Sequence, residues 1–252
     1  MTSTFYDQLA PYYHLLYGSW EEAISEQAEA IASLLSASDV QPGQPILDAA
    51  CGIGTQAIGL AVRGYVVSAS DLSPGAVQRL ESELSRRKLQ ATAYVDDLRT
   101  LSHTQAESMA AVIACDNSLP HLLSDNEILQ SLVSCYRCLK PGGIAIFSVR
   151  DYSTIERKNP DVRPYGLRRE GERRFLAVQV WEWHGDQYDL RMYLTSEAPT
   201  GACEAQVLLS RYYAIPISRL MMLMAQAGFN DVRRHDNLLF QPVITGRRPR
   251  AV

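Results

Sequence analysis

The stretch Ile46–Ala61, ILDAACGIGTQAIGLA, runs from an apolar strand pattern through Gly52-x-Gly54-x-x-Ala57 into a helical pattern. A glycine turn between strand and helix lets a ligand approach the backbone closely and offers it the free amides of the helix N-terminus, which suits a phosphate or a carboxylate. The spacing fits the glycine fingerprint of a dinucleotide-binding turn, but the turn alone does not name its ligand. Asp48, four residues before Gly52, separates the candidates. A carboxylate there repels a pyrophosphate and attracts an ammonium or sulfonium group, so the residues favour a cationic ligand.

Outward from this turn, strand-length apolar runs occur at 45–50, 65–70, 91–95, 109–115 and 144–149, with helical patterns at 56–63, 74–88 and 125–139. This alternation predicts an α/β fold whose parallel strands carry helices on both faces, a doubly wound core. After Arg150 the rhythm changes. RRFLAVQVWEW, QYDLRMYLTSE and EAQVLLSRYYA predict three antiparallel strands, the first two joined at His184-Gly185-Asp186. A helix follows, with Pro216 in its first turn and Gly228 as its stop, and NDVRRHD and FQPVITGRRP supply two last strands. The expected whole is a mostly parallel seven-stranded sheet with an inserted antiparallel β cap. Its regions are an N-terminal helical segment (1–44), the core (45–150), the insertion (151–214) and a C-terminal helix with the last two strands (215–252). The arginine-rich run 157–174, interleaved with Asp161, Glu170 and Glu172, reads as a solvated mixed-charge loop.

Composition narrows the function. The 252 residues are 46% hydrophobic and 21% charged, with net charge −4, which suits one large α/β domain. Net acidity argues against nucleic acid, whose phosphates draw most of their affinity from clustered cations. No run reaches the roughly 18–20 apolar residues that span a bilayer, and the N-terminus carries no export signal, so a cytoplasmic protein without a membrane partner is expected. Five scattered cysteines disfavour a disulfide framework. Cys135-x-x-Cys138 lies late in a helical pattern with no second ligand pair downstream, so helix packing is expected there and no metal site is assigned.

The segment LDAACGIGT resembles motif I of class I S-adenosylmethionine (SAM)-dependent methyltransferases: an acidic residue, small residues, then G-x-G. More of that family's pattern follows in order. VSASDLS ends the second strand with Asp71, YVDDLRTL resembles the family's GDL segment, and LKPGGIAIFSV resembles the turn into the fifth strand. The resemblance implies a Rossmann-like fold with SAM as cofactor and S-adenosylhomocysteine (SAH) as product. It places Asp71 on the ribose hydroxyls and Asp97 on the adenine amine, with Leu98 against the ring. It implies a cofactor set of Tyr6, Tyr13, Asp48, Ala50, Gly52, Ile53, Gly54, Asp71, Leu72, Asp97, Leu98, Cys115, Asp116 and His121. On the residues alone, Gly52 and Gly54 also suit a bare tight turn, and Asp71 and Asp97 also suit helix caps.

For the methyl acceptor, VIACDNSLPHL lacks the Asn/Asp-Pro-Pro-Tyr signature of nucleobase amine methyltransferases and is similar to the GNSFAHL of glycine N-methyltransferases, with Asp116 in place of Gly and Pro120 in place of Phe. VRDYSTI is similar to that family's HRNYD, and LSRYYAIP to its LSYYPH. These likenesses imply a small-molecule acceptor, an amine on a carboxylate-bearing molecule, held by Asn117, Arg150 and Tyr212, with Tyr213 nearby. A planar guanidinium suits bidentate carboxylate capture, although Arg150 has Asp151 or Asp116 as alternative partners. Methyl transfer is an in-line displacement governed by proximity and orientation, so no dedicated base is assigned. FYDQLAPYYHLLYGSW resembles the segment that closes over SAM in small-molecule methyltransferases. Its aromatics Tyr6, Tyr13, Tyr17 and Trp20 suit either shielding of a sulfonium or packing on the core. An O- or C-methyltransferase and a non-catalytic SAM-binding protein remain open, and oligomeric state is not readable.

Overall fold

The computed structural model describes residues 2–250. Met1, Ala251 and Val252, which fall within the expected regions 1–44 and 215–252, lie outside the described residues. Two helices, α1 (Thr2–Leu9) and α2 (Trp20–Ser36), precede β1 (Pro45–Asp48), α3 (Thr55–Val62), β2 (Val66–Asp71), α4 (Pro74–Arg87), β3 (Ala91–Val95), β4 (Met109–Ala114), α5 (Asp125–Cys138) and β5 (Leu139–Ser148). Next come four long strands, β6 (Asp161–Glu170), β7 (Arg173–His184), β8 (Gln187–Glu197) and β9 (Cys203–Tyr213). The chain closes with α6 (Ile217–Gln226), β10 (Asn230–His235) and β11 (Val243–Arg247).

The core is a seven-stranded sheet in the order β10-β11-β5-β4-β1-β2-β3. Strands β1 to β5 pair in parallel, and β11 runs antiparallel to both β5 and β10. Ile46 and Leu47 of β1 and Ala111 to Ala114 of β4 are almost wholly buried, as expected of central strands covered on both faces. The strand order reverses between β1 and β4, which opens a crevice at their carboxyl ends, where α/β sheets bind ligands. Ser73 caps α4 by accepting from the Ala76 amide, with Pro74 in the first turn. Cys135 and Cys138 of α5 are fully buried in the apolar core.

Each glycine of the first turn has its own task. Gly52 has φ +51°, and its amide donates to the Asp71 carboxylate at 2.9 Å. Gly54 caps α3 at φ +95°, where a Cβ would stand 2.3 Å from Leu80 Cδ1 of α4. Behind the turn, Gly59 lets α3 lie directly on α2: a Cβ there would meet Ala28 Cβ at 2.4 Å and the Ile24 carbonyl oxygen at 2.5 Å.

The second sheet is an antiparallel meander, β6-β7-β8-β9. Two-residue turns at Gly171-Glu172 and Gly185-Asp186 join its first three strands, and both glycines have positive φ. Alternation selects the inward face: Trp181 and Trp183 on β7, Tyr188, Leu190 and Met192 on β8, and Leu208 and Tyr212 on β9 are buried. One expectation is corrected here. Much of the run 157–174 is not loop but strand β6, paired along β7. Its interleaved charges mask a half-buried alternation: Arg163 binds Asp161 at 2.8 Å and lies over Trp181, 4.0 Å from the ring centroid. Among the described residues no helix is long and apolar enough to cross a membrane.

The close α2–α3 approach yields a stability prediction. Gly59→Ala forces a methyl against backbone and side chain and is expected to destabilise the fold by roughly 1–3 kcal/mol, read as a lower urea midpoint with unchanged slope.

Candidate functional site

Two adjoining cavities open at the carboxyl ends of β1, β2 and β4. The first, about 350 Å³, is lined by twelve of the fourteen residues expected at the cofactor: Tyr6, Tyr13, Ala50, Gly52, Ile53, Asp71, Leu72, Asp97, Leu98, Cys115, Asp116 and His121. The second, about 870 Å³, lies beneath the antiparallel sheet and is lined by the three residues expected at the acceptor, Asn117, Arg150 and Tyr212. Tyr6, Tyr13, Tyr17 and Asp116 line both cavities and form the wall between them.

The two exceptions in the cofactor set are Asp48 and Gly54, neither of which lines a cavity. Gly54 turns its Cα toward Leu80, so its need for glycine comes from packing on α4. Asp48 is 1% exposed, and among the described residues neither carboxyl oxygen has a hydrogen-bond partner; the amides of Ala50 and Ala57 approach it without reaching bonding geometry. Burial, then the neighbouring Asp71 and Asp116, raise its pKa from the ordinary 3.8 to about 8. It is therefore a neutral carboxylic acid at physiological pH in this structure, and the attraction expected of its charge is not expressed.

Asp71 and Asp116 are also raised, chiefly by burial. Among the described residues no Lys, Arg or His lies within 4.0 Å of Asp48, Asp71 or Asp116, although ion pairs abound elsewhere. With Asp48 neutral, Asp71 and Asp116 are two carboxylates without a cation, costly unless a ligand brings positive charge, so the site fits a cationic ligand and disfavours a pyrophosphate. Asp71 accepts from the amides of Gly52 and Ser73, both at 2.9 Å, which sets its oxygens at the cavity wall. Asp97 is gripped by Arg99, which also binds Glu127 at 2.8 Å. Arg99 and Glu127 both line the first cavity and lay outside the expected set.

The N-terminal segment forms the roof. Asp7 accepts from Ser73 Oγ at 2.6 Å and from the Gly75 amide at 2.9 Å, anchoring α1 at the N-terminus of α4. At the other end, Arg168 of β6 donates to the Tyr17 carbonyl at 2.9 Å. Of the four aromatics considered from the sequence, Tyr6, Tyr13 and Tyr17 reach the cavities, while Trp20 turns to Thr55. Tyr6 O–H meets His121 Nε2 at 2.7 Å, and Tyr212 packs on the imidazole with centroids 4.0 Å apart. Burial lowers the His121 pKa to about 3, so the ring is neutral and holds the two tyrosines in place.

In the second cavity the Asn117 amide is engaged at both ends: Nδ2 donates to Tyr152 O–H at 2.8 Å and Oδ1 accepts from the Arg150 amide at 3.0 Å. Asn117 thereby positions Arg150. The Arg150 guanidinium lies 4.8 Å from the Trp181 centroid and donates to Tyr188 O–H at 3.3 Å. No carboxylate among the described residues lies within 4.0 Å of it; Asp151 pairs with Arg234 instead. Arg163 brings a second guanidinium to the same indole. Sequence reading missed Arg163, although the alternation of Asp161, Arg163 and Tyr165 is a weak strand signal. Tyr213 lines neither cavity and donates to Asp125 at 2.9 Å.

Residues 46–143 match the family model described as a methyltransferase domain. Similar curated proteins include a glycine/sarcosine N-methyltransferase of Aphanothece halophytica, 29% identical over 54% of this chain and 52% of that protein. Another is a malonyl-[acyl-carrier protein] O-methyltransferase of Serratia marcescens, 29% identical over 52% of this chain and 48% of that protein. The chain thus matches about half the length of these relatives. Among solved structures, Streptomyces venezuelae DesVI superposes with a TM-score of 0.81 over 97% of this chain and 98% of that one, at 18% identity, which shows a shared fold.

The buried Asp48 gives a pH prediction. Between about pH 4 and 8 the folded chain holds a proton on Asp48 that the unfolded chain has released. Stability therefore falls as pH rises through that window, by up to about 1.4 kcal/mol per unit. Asp48→Asn, a neutral isostere, is expected to match the wild type near pH 4 and to exceed it at pH 8 in urea unfolding.

Proposed function

We propose that the chain, whose residues 46–143 match a methyltransferase-domain model, transfers the methyl group of SAM, held in the first cavity, to a small molecule held in the second. The observation that carries this reading is the pair Asp71 and Asp116, which among the described residues have no cationic partner and line a cavity that shares a wall with a larger one. A sulfonium cofactor that also bears an ammonium supplies the missing positive charge. Bound SAM supplies an electrophilic methyl group. The chain's own residues orient the two molecules and exclude water: Asp71 offers oxygens to the ribose hydroxyls, the Asp97 and Leu98 segment flanks the adenine, and Tyr6, Tyr13 and Tyr17 screen the junction.

The acceptor reading is an amine on an acid-bearing molecule. Arg150, its guanidinium free of carboxylates and stacked on Trp181, is built to receive an acidic group, and Arg163 stands beside it. A cavity of about 870 Å³ matches those that enclose drug-sized ligands, so the acceptor is larger than glycine.

Calorimetry with SAM and NAD tests the cofactor: SAM binding without NAD binding is expected, and the reverse sinks the reading. Methyl-labelled SAM with a panel of amines, amino acids and phenols then finds the acceptor. For an acid-bearing acceptor, Arg150→Ala is expected to raise KM by about 10- to 100-fold, the worth of a lost charge-assisted hydrogen bond. An unchanged KM removes Arg150 from the acceptor site.

A further inference from the structure

Among the described residues Asp116 is the one carboxylate that lines both cavities. It occupies a costly backbone position: φ is +56° at Asp116 and +67° at Asn117, two consecutive non-glycine residues in the left-handed region. Two bonds to Ser148 secure that turn, from the Asp116 amide to Ser148 Oγ at 2.7 Å and from the Asn117 amide to its carbonyl at 3.0 Å. The side chain is then fixed by a chain of hydrogen bonds that reaches back into the N-terminal segment.

The direction of that chain is dictated by chemistry. Trp20 Nε1–H can only donate, and it donates to Thr55 Oγ1 at 2.9 Å. The single Thr55 hydroxyl proton goes to Tyr17 O–H at 3.2 Å, and the single Tyr17 proton goes to Asp116 Oδ2 at 3.0 Å. Every proton in the series points at Asp116, so its carboxyl group stands as acceptor. Oδ2 is filled; among the described residues Oδ1 is buried without a partner in bonding geometry, Gln56 approaching the carboxylate while its amide nitrogen donates to Gln27 at 2.6 Å. Whatever satisfies Oδ1 must bring an N–H or O–H proton to the wall between the two cavities.

We infer that Asp116 Oδ1 binds the nucleophilic amine of the acceptor and takes its proton, acting as the general base of the methyl transfer, with Tyr17, Thr55 and Trp20 as its positioning residues. This rests on the methyltransferase reading above. The acceptor ammonium gives one proton to Asp116 Oδ1, which leaves a lone pair on nitrogen. SAM supplies the methyl group: the C–N bond forms as the C–S bond breaks, and the electron pair of the broken bond stays on sulfur. Asp116 returns its proton to solvent as the methylated ammonium and SAH leave. Burial raises the basicity of the carboxylate, in keeping with that task.

The test needs no knowledge of the acceptor. Sinefungin is a SAM analogue in which an amine-bearing carbon replaces the methylated sulfur, so it presents an ammonium where the acceptor nitrogen would meet the methyl group. Calorimetry on the wild type and on Asp116→Asn compares SAH, SAM and sinefungin. Asparagine has the same shape and tolerates left-handed backbone, and SAH binding reports an intact site. Expected for Asp116→Asn are SAH affinity within about twofold, a small loss for SAM, and a loss of about tenfold or more for sinefungin, the worth of a hydrogen bond to a charged group. Equal losses for SAM and sinefungin would leave Asp116 with no role beyond that of counter-charge to the cofactor and overturn the inference. No loss for either overturns it as well. A wild type that binds none of the three ligands removes the methyltransferase reading itself, and this inference with it.

Discussion

Negative charge without a local counter-charge governs the carboxyl edge of this sheet. Asp48, Asp71 and Asp116 sit at the ends of or just beyond β1, β2 and β4; Asp48 is buried, Asp71 and Asp116 beside it are half-buried, and among the described residues no basic side chain pairs with any of them. Elsewhere the protein pairs its acids freely, as with Glu83 among Arg79, Arg86 and Arg87. Leaving three carboxyl groups unpaired in the most enclosed part of the fold costs stability, and the structure limits that cost in two ways. Asp48 keeps its proton, and Asp71 is held by backbone amides of two turns. The remainder is what a cationic ligand relieves.

The roof follows from the same constraint, because unpaired charge must be shielded from bulk water to discriminate among ligands. Helix α1 touches both α4 of the core and β9 of the antiparallel sheet, and the chain from Tyr13 to Tyr17 passes across the mouth of both cavities. One carboxylate, Asp7, ties its leading end, and one guanidinium, that of Arg168, ties its trailing end. The two ties belong to different sheets. The roof therefore joins the walls of the two cavities as well as covering them.

The core is legible in the sequence because its signals are local. Strand ends marked by Asp71 and Asp97, and turns marked by glycine and proline, repeat in a fixed order, so the parallel strands and most of the first cavity can be assigned from neighbours in the chain. What escapes depends on partners distant in sequence. Gly54 needs its glycine because Leu80 lies across from it, and Asp48 loses its charge because the fold buries it. Strand β6 hides behind its charges, since the stacking of Arg163 on Trp181 exists only once β7 is in place beside it. Among the N-terminal aromatics, composition shows that rings gather there; which of them reach the cavities is settled by the bend of the chain between Tyr17 and Trp20.

The division of labour between the two sheets bears on how such a protein can change over generations. The lining of the first cavity comes largely from turns at the carboxyl ends of β1, β2 and β4 whose geometry the buried core holds, so a substitution there disturbs the core and the cavity together. Much of the larger cavity is walled by the inner face of an antiparallel meander, by the loop 237–242 and by the roof. Those surfaces can drift in side-chain identity while the parallel core stays intact. Exchange of Arg163, Gln179 or the loop residues can reshape the larger cavity while the smaller one, built on the parallel core, keeps its form.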